Sequence, residues 1–216
     1  MNFTPLLVFL AFVAGALADF SCTASGVGEF PRTVCYDDSC TNKIVNHIQE
    51  EFNAAFKYLY MASKLGQYTM ARPGITKFLL ESASEERSHA MQMLDYLDTR
   101  GISYPNEYNF AKSQVESFGI PGDKPLETGI EKVLKKSIEM EIHVTNLIKE
   151  VIDSCSNDFH AADVFTNPIL DEQHHGLRKL QGALQTLNAM KNAATEDEKK
   201  VAEYFFDVKL QKGELL

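Results

Sequence analysis

The chain has 216 residues, with 21 Lys and Arg against 30 Asp and Glu and a formal net charge of -9. An acidic balance without a basic stripe excludes nucleic acid as a partner, because phosphate binding is driven by clustered Lys and Arg. Disorder is excluded too: 44% of residues are apolar, with 14 Phe and 8 Tyr, enough for the core of one ordinary domain or two. The surplus carboxylates suit cations.

In chain order, Leu6 to Val13 form an apolar run too short for a bilayer crossing, which takes roughly 20 residues. Gly15 and the small-x-small sequence Ala16-Leu17-Ala18 follow, then Asp19. Residues 1–18 carry no charged side chain and read as a secretory signal cleaved after Ala18, although no Lys or Arg precedes the apolar run. The sequon Asn2-Phe3-Thr4 falls inside the segment to be removed. Residues 19–40 form an extension that contains Cys22, Cys35 and Cys40; Cys155 is the fourth cysteine. An even count in a secreted chain predicts two disulfides with three possible pairings. Cys35 and Cys40 lack the spacing and His partners of a zinc module. No later stretch is long enough for a membrane span, so no membrane partner is expected.

After Asp38, long Pro-free runs rich in Ala, Leu, Glu and Lys predict four long helices. The breaks are Arg72-Pro73-Gly74, a long connection from Gly101 to Pro125, and the segment from Ser154 to Phe159. Steps of four and three trace one seam per helix. The first seam is Ile44, Ile48, Glu51, Ala55, Tyr58, Ala62, Leu65, and the second is Leu79, Ser82, Glu86, His89, Met93, Tyr96. The third is Ile130, Leu134, Ser137, Glu141, Val144, Ile148, Val151, and the fourth is Leu170, Gln173, Leu177, Leu180, Leu184, Leu187. Such stripes face a bundle interior.

Each seam is interrupted near its middle by a polar side chain of metal-ligating type. One buried carboxylate per bundle would be a register device; Glu51, Glu86 and Glu141 with His89, Gln173 and Tyr58 need a shared reason. A carboxylate in apolar surroundings costs several kcal/mol or keeps its proton, and no Lys or Arg sits on the seams at this level. Divalent cations would remove that cost. Glu86 and His89, at i and i+3, share a helical face and can hold one ion. Oxygen ligands with few imidazoles suit iron or manganese better than a closed zinc site. A second Glu-x-x-His, Glu172 to His175, would suggest a symmetric di-iron centre. Gln173 continues the seam, however, and His175 points about 200° away, so His174 and His175 are expected at the surface or at a subunit contact.

These residues resemble ferritin over about Thr41 to Leu210. Ile48-Gln49-Glu50-Glu51 with Tyr58-Leu59-Tyr60-Met61 is similar to the family's first helix, and Glu85-Glu86-Arg87-Ser88-His89-Ala90 resembles its E-E-R-x-H-A signature. Glu141 follows in the third helix, Asp171-Glu172-Gln173 in the fourth, and Ala202-Glu203-Tyr204-Phe205-Phe206-Asp207 in a short fifth. The signal segment and N-terminal cysteines are similar to those of secreted arthropod ferritins, and the complete ligand set to the heavy, ferroxidase-active type.

The resemblance implies an all-α fold: a ferritin-like four-helix bundle with one long crossover over residues 41–195, and a short fifth helix and tail over 196–216. It implies iron storage and detoxification, with Fe(II) oxidised by dioxygen or peroxide and ferric mineral deposited in a hollow shell of twenty-four subunits. Two irons per subunit are expected. Glu51, Glu86 and His89 match ligands of the first, with Glu86 bridging to the second. Glu141 completes the second site, Gln173 stands beside it, and Tyr58 is expected to donate a hydrogen bond to Glu141 or take part in redox chemistry. Glu85 and Glu81 are candidates on the cavity side.

Several positions depart from the family pattern. Ser84, Ser88 and Met91 stand where the cavity face is usually carboxylate-rich, so nucleation is expected to be weaker and a light-type partner subunit to supply it. At the three-fold entry Asp163 matches an acidic residue, but the next ring position is Thr166, which puts the acidic funnel in doubt. Pro168 should kink the fourth helix just before Gln173. In a bundle with one long crossover, helix one starts where helix three finishes, which makes Cys40 and Cys155 neighbours and a plausible bridge. Cys22 and Cys35 would then pair together, or Cys22 would reach a light-type subunit. Two alternatives to the oxidoreductase are a catalytically silent structural or iron-transport shell subunit and a di-metal bundle acting on organic substrates. The fifth helix and the missing second inward Glu-x-x-His disfavour the latter.

Overall fold

A computed structural model describes residues 25–27, 30–32, 38–102, 129–192 and 195–215. The signal segment 1–18, Cys22, Cys35 and most of the connection from Gly101 to Pro125 lie outside the described residues. Two short strands, β1 (Ser25–Val27) and β2 (Phe30–Arg32), pair antiparallel with Val27 opposite Phe30. All other regular structure described is helical: α1 (Asp38–Leu65), α2 (Pro73–Thr99), α3 (Ile130–Ser154), α4 (Phe159–Val164), a π-helical segment Phe165–Leu170, α5 (Asp171–Lys191) and α6 (Glu196–Gln211). No described helix is long and apolar enough to cross a membrane.

The first three seams are buried along their whole length, from Ile44 to Leu65, Leu79 to Tyr96 and Ile130 to Val151. Each large aliphatic side chain removed from water in this way contributes about 1.5–3 kcal/mol. Helix α1 packs on both α2 and α3, α3 on α5, and α6 on α2 and α5. The fourth seam is narrower than its spacing predicts. Gln173, Leu180 and Leu187 are buried, Leu170, Leu177 and Leu184 are only half-buried, and Ala183 enters the core instead.

Helix directions are set at the ends. Cys40, in the first turn of α1, is bonded to Cys155, the C-cap of α3, with their Cα atoms 4.6 Å apart. The Lys43 ammonium meets Glu150 at 2.9 Å at the same end. Thus α1 and α3 run antiparallel. Helix α2 reverses on α1 through residues 66–72, which leaves α2 and α3 parallel. At the far end of α2, Arg100 forms a two-pronged pair with Asp158 at 3.1 and 2.7 Å, buried on both sides. Asp158 also accepts the Ala161 N–H and so caps α4.

Helix α2 begins with Pro73 at its first position, and Arg72 supplies no side-chain cap. The cap comes from α6: Asp207 accepts the N–H groups of Gly74 at 3.1 Å and Ile75 at 2.8 Å. A carboxylate there satisfies two orphan donors and favours the positive end of the helix dipole. Gly74 is required by the close approach, since a Cβ would lie 1.9 Å from the Asp207 carbonyl oxygen. Helix α6 starts with a capping box in which Thr195 and Glu198 satisfy each other's backbone N–H. Pro168 breaks the fourth helical run, with Asn167 at φ -146° and ψ 112° and a cis peptide between the two. Helix α5 then restarts at Asp171, which places Gln173 in its first turn.

Candidate metal centre

Four helices send polar side chains to one level of the interior. Glu51 and Tyr58 come from α1, Glu86 and His89 from α2, Glu141 from α3 and Gln173 from α5, and all six are buried. Glu51, Glu86 and His89 each present one ligand atom, and the three atoms lie within 4.8 Å of one another. His89 Nδ1 is 3.9 Å from Glu51 Oε2 and 3.8 Å from Glu86 Oε2. Both Glu51 oxygens, Glu86 Oε2 and His89 Nδ1 are buried without a hydrogen-bond partner. Orphaned carboxylate and imidazole atoms at this spacing fit a cation with mixed oxygen and nitrogen ligands.

Glu141 stands beside the triad rather than within it. Its Oε1 accepts from the Tyr58 hydroxyl, and its Oε2 accepts from the Gln173 amide. The Gln173 amide also lies 3.4 Å from the Glu141 carbonyl oxygen. Each carboxylate oxygen retains a further lone pair, so this clamp orients Glu141 without removing it as a ligand.

The electrostatics show what burial does to crowded acids. Burial raises the Glu51 carboxyl above its ordinary range. Burial, followed by the neighbouring charge of Glu51, pushes Glu86 up to about 8. Burial and the charge of Glu86 push Glu141 up to about 8. Burial alone would lower His89, but the nearby Glu86 and Glu51 carboxylates outweigh that and raise it to about 9. Burial next to Glu141 pushes the Tyr58 hydroxyl well above its usual value. A divalent cation held by these carboxylates would take the place of the retained protons.

The site opens through a cleft of about 530 Å³ between α2 and α5. Glu86, His89, Glu141 and Gln173 line its floor, with Glu81, Glu85 and Glu172 towards the mouth. Glu81 and Glu85 are exposed, as are Ser84, Ser88 and Met91. His174 and His175 are exposed, and His175 reaches the cleft rim, 3.7 Å from Asp171. Asp163 and Thr166 are exposed as well.

Two contacts are invisible to seam spacing. Glu172 Oε2 lies 3.3 Å from His89 Nε2, which leaves Nδ1 as the nitrogen facing the triad. His47 sits one turn before Glu51, fully buried, with Nε2 2.9 Å from Glu51 Oε1. Burial lowers it to about 4, against the charge of Glu86. Its signal in the sequence is a His four residues before a buried Glu, which shares that Glu's face.

An all-helical bundle with a buried carboxylate and imidazole cluster between its helices defines the class of ferritin-like proteins, and a family model described as the ferritin-like domain matches residues 41–190. The ferritin heavy chain of Drosophila melanogaster is 33% identical over 207 residues, which cover 93% of this chain and 95% of that one. The heavy chain of Aedes aegypti is 36% identical over 174 residues, covering 79% and 78%. The crystal structure of Trichoplusia ni secreted ferritin matches with a TM-score of 0.71 at 30% identity, covering 89% of this chain and 98% of that one. The chain belongs to the ferritin family of iron-storage proteins, and it is similar to the insect ferritin heavy chains. Ferritins bind iron and assemble as oligomeric shells.

Proposed function

We propose that this chain is the ferroxidase subunit of a secreted iron-storage shell. The observation that carries the reading is the convergence of Glu51, Glu86 and His89, whose buried ligand atoms have no partner in the protein. Fe(II) is the substrate. Glu51, Glu86 and His89 take the first ion; Glu86 bridges to the second, which Glu141 completes with Gln173 beside it. Tyr58 and Gln173 hold Glu141 in place, and Glu172 fixes the His89 ring. Each of two Fe(II) gives up one electron. Dioxygen accepts the pair with two protons and leaves as hydrogen peroxide, or hydrogen peroxide accepts the pair with two protons and leaves as water. Holding both ions in one site lets the electrons depart as a pair.

Ferric product leaves along the cleft towards Glu85 and Glu81, the candidate cavity-side positions. With Ser84, Ser88 and Met91 exposed nearby, mineral nucleation falls to a light-type partner in a shell of twenty-four subunits. Export follows cleavage of residues 1–18 after Ala18, with 19–40 as the extension, 41–195 as the bundle and 196–216 as the fifth helix and tail. Anaerobic titration with Fe(II) tests the site directly. Wild type should saturate at two ions per subunit and Glu86→Ala at fewer. Saturation of both at the same low level would favour the silent shell subunit instead.

A further inference from the structure

The Glu51 carboxylate faces two ways. Oε2 points to the triad, 3.9 Å from His89 Nδ1, whereas Oε1 points to His47, whose Nε2 lies 2.9 Å away. His47 is 2% exposed, and neither of its ring nitrogens has a hydrogen-bond partner; nor does Glu51 Oε1. Its ring packs against Phe165, centroids 6.0 Å apart, in the wide-turn segment before α5. A buried imidazole carries at least one N–H and must place it, and a carboxylate oxygen with no other partner is within reach. The pair is close without being aligned as a hydrogen bond, and a shift of the carboxylate or of the ring is needed to make one.

We propose that His47 is a positioning residue for metal binding: its Nε2–H holds the rear oxygen of Glu51, so that the front oxygen is presented to a divalent transition-metal ion at the Glu51, Glu86 and His89 site. Phe165 fixes the ring from behind, and the one-turn spacing on α1 ties the donor rigidly to the ligand that it orients. Partners of this kind govern affinity because a ligand free to rotate must be ordered when the ion binds. The proposal deepens the reading of the same site and rests on it.

The test is anaerobic calorimetric titration of the assembled protein with Co(II), alongside melting of the metal-free shells. Wild type is compared with His47→Leu, which fills the space without a donor, and His47→Gln, which restores an N–H. Glu86→Ala serves as the control for the site. His47→Leu should weaken Co(II) binding about 10- to 100-fold, and His47→Gln should recover most of that, while Glu86→Ala binds more weakly still. In Fe(II) oxidation, the His47→Leu loss should appear as a raised half-saturating Fe(II) concentration with a nearly unchanged maximal rate. Wild-type Co(II) affinity in His47→Leu, with Glu86→Ala impaired, would overturn the role of His47 and leave the site standing. Equal weakness of the Leu and Gln variants would also overturn it, since donation would then not matter. Unimpaired binding by Glu86→Ala would overturn the site itself. Should the Leu variant not assemble, His47→Asn takes its place, its shorter amide falling out of reach of Glu51.

Discussion

The Tyr58 hydroxyl on α1 donates to Glu141 Oε1 on α3, across 83 residues of sequence, with both groups buried. This bond ties the phenol to the carboxylate proposed for the second iron. Tyr58→Phe leaves Glu141 Oε1 without a donor at a cost of about 1–3 kcal/mol. The variant should melt at a lower temperature when metal-free and oxidise Fe(II) more slowly, with the shell still assembled. Stopped-flow oxidation and thermal melting measure both, and wild-type values in both would contradict the clamp.

Stability of the metal-free protein should fall as pH rises from about 6.5 to 9. In the unfolded chain Glu86 and Glu141 ionise near 4.5, whereas the fold holds their protons up to about 8. His89 keeps its proton up to about 9 against 6.5 unfolded. Across these windows the native state binds more protons than the unfolded one, so the unfolding free energy decreases with pH. His47 acts in the opposite sense: held neutral, it loses its contribution only as pH falls from 6.5 towards 4. Saturating Zn(II) should flatten the decline, because the carboxylates are then ionised in the native state as well. Melting temperature against pH, with and without Zn(II), checks this. A decline of equal slope in both series would contradict it.

Helix α6 is held on the bundle by Asp207, which caps α2 at Gly74 and Ile75. Asp207→Ala should cost about 0.5–2 kcal/mol, in the range of lost helix caps. Gly74→Ala should cost more, because the new Cβ would lie 1.9 Å from a backbone oxygen that cannot move alone. Thermal denaturation should therefore rank wild type above Asp207→Ala, and Asp207→Ala above Gly74→Ala.

The Cys40–Cys155 bridge closes a sequence separation of 115 residues. On loop-closure entropy a bridge of that span contributes roughly 4–5 kcal/mol. The double variant Cys40→Ala, Cys155→Ala should melt well below wild type under non-reducing conditions. Equal melting temperatures would show that the bundle ends are held by packing and the Lys43–Glu150 pair instead.

Most of the bundle is legible in the sequence because burial acts at helical spacing. Three seams read straight through from Ile44 to Leu65, Leu79 to Tyr96 and Ile130 to Val151, and the polar interruptions in them meet at one level. The fourth departs beyond the bend at Asn167 and Pro168, where helix α5 restarts and packs on α3 and α6: Leu177 and Leu184 are half-buried and Ala183 takes a core place instead. Cross-helix contacts are likewise absent from any single seam. Glu172 is exposed over half of its side chain and yet reaches His89, and Asp207 caps a helix that begins 134 residues earlier at Pro73; within α1, His47 lies off the first seam while facing Glu51.

Fe(II) oxidation by dioxygen, followed optically in assembled wild-type protein and in Glu86→Ala, tests the ferroxidase reading most directly. Glu86 is the carboxylate proposed to serve both irons, so its loss should slow the initial rate at least tenfold, towards that of free Fe(II) in the same buffer. Equal rates for the two proteins would contradict oxidation at this centre and leave a shell without catalysis of its own.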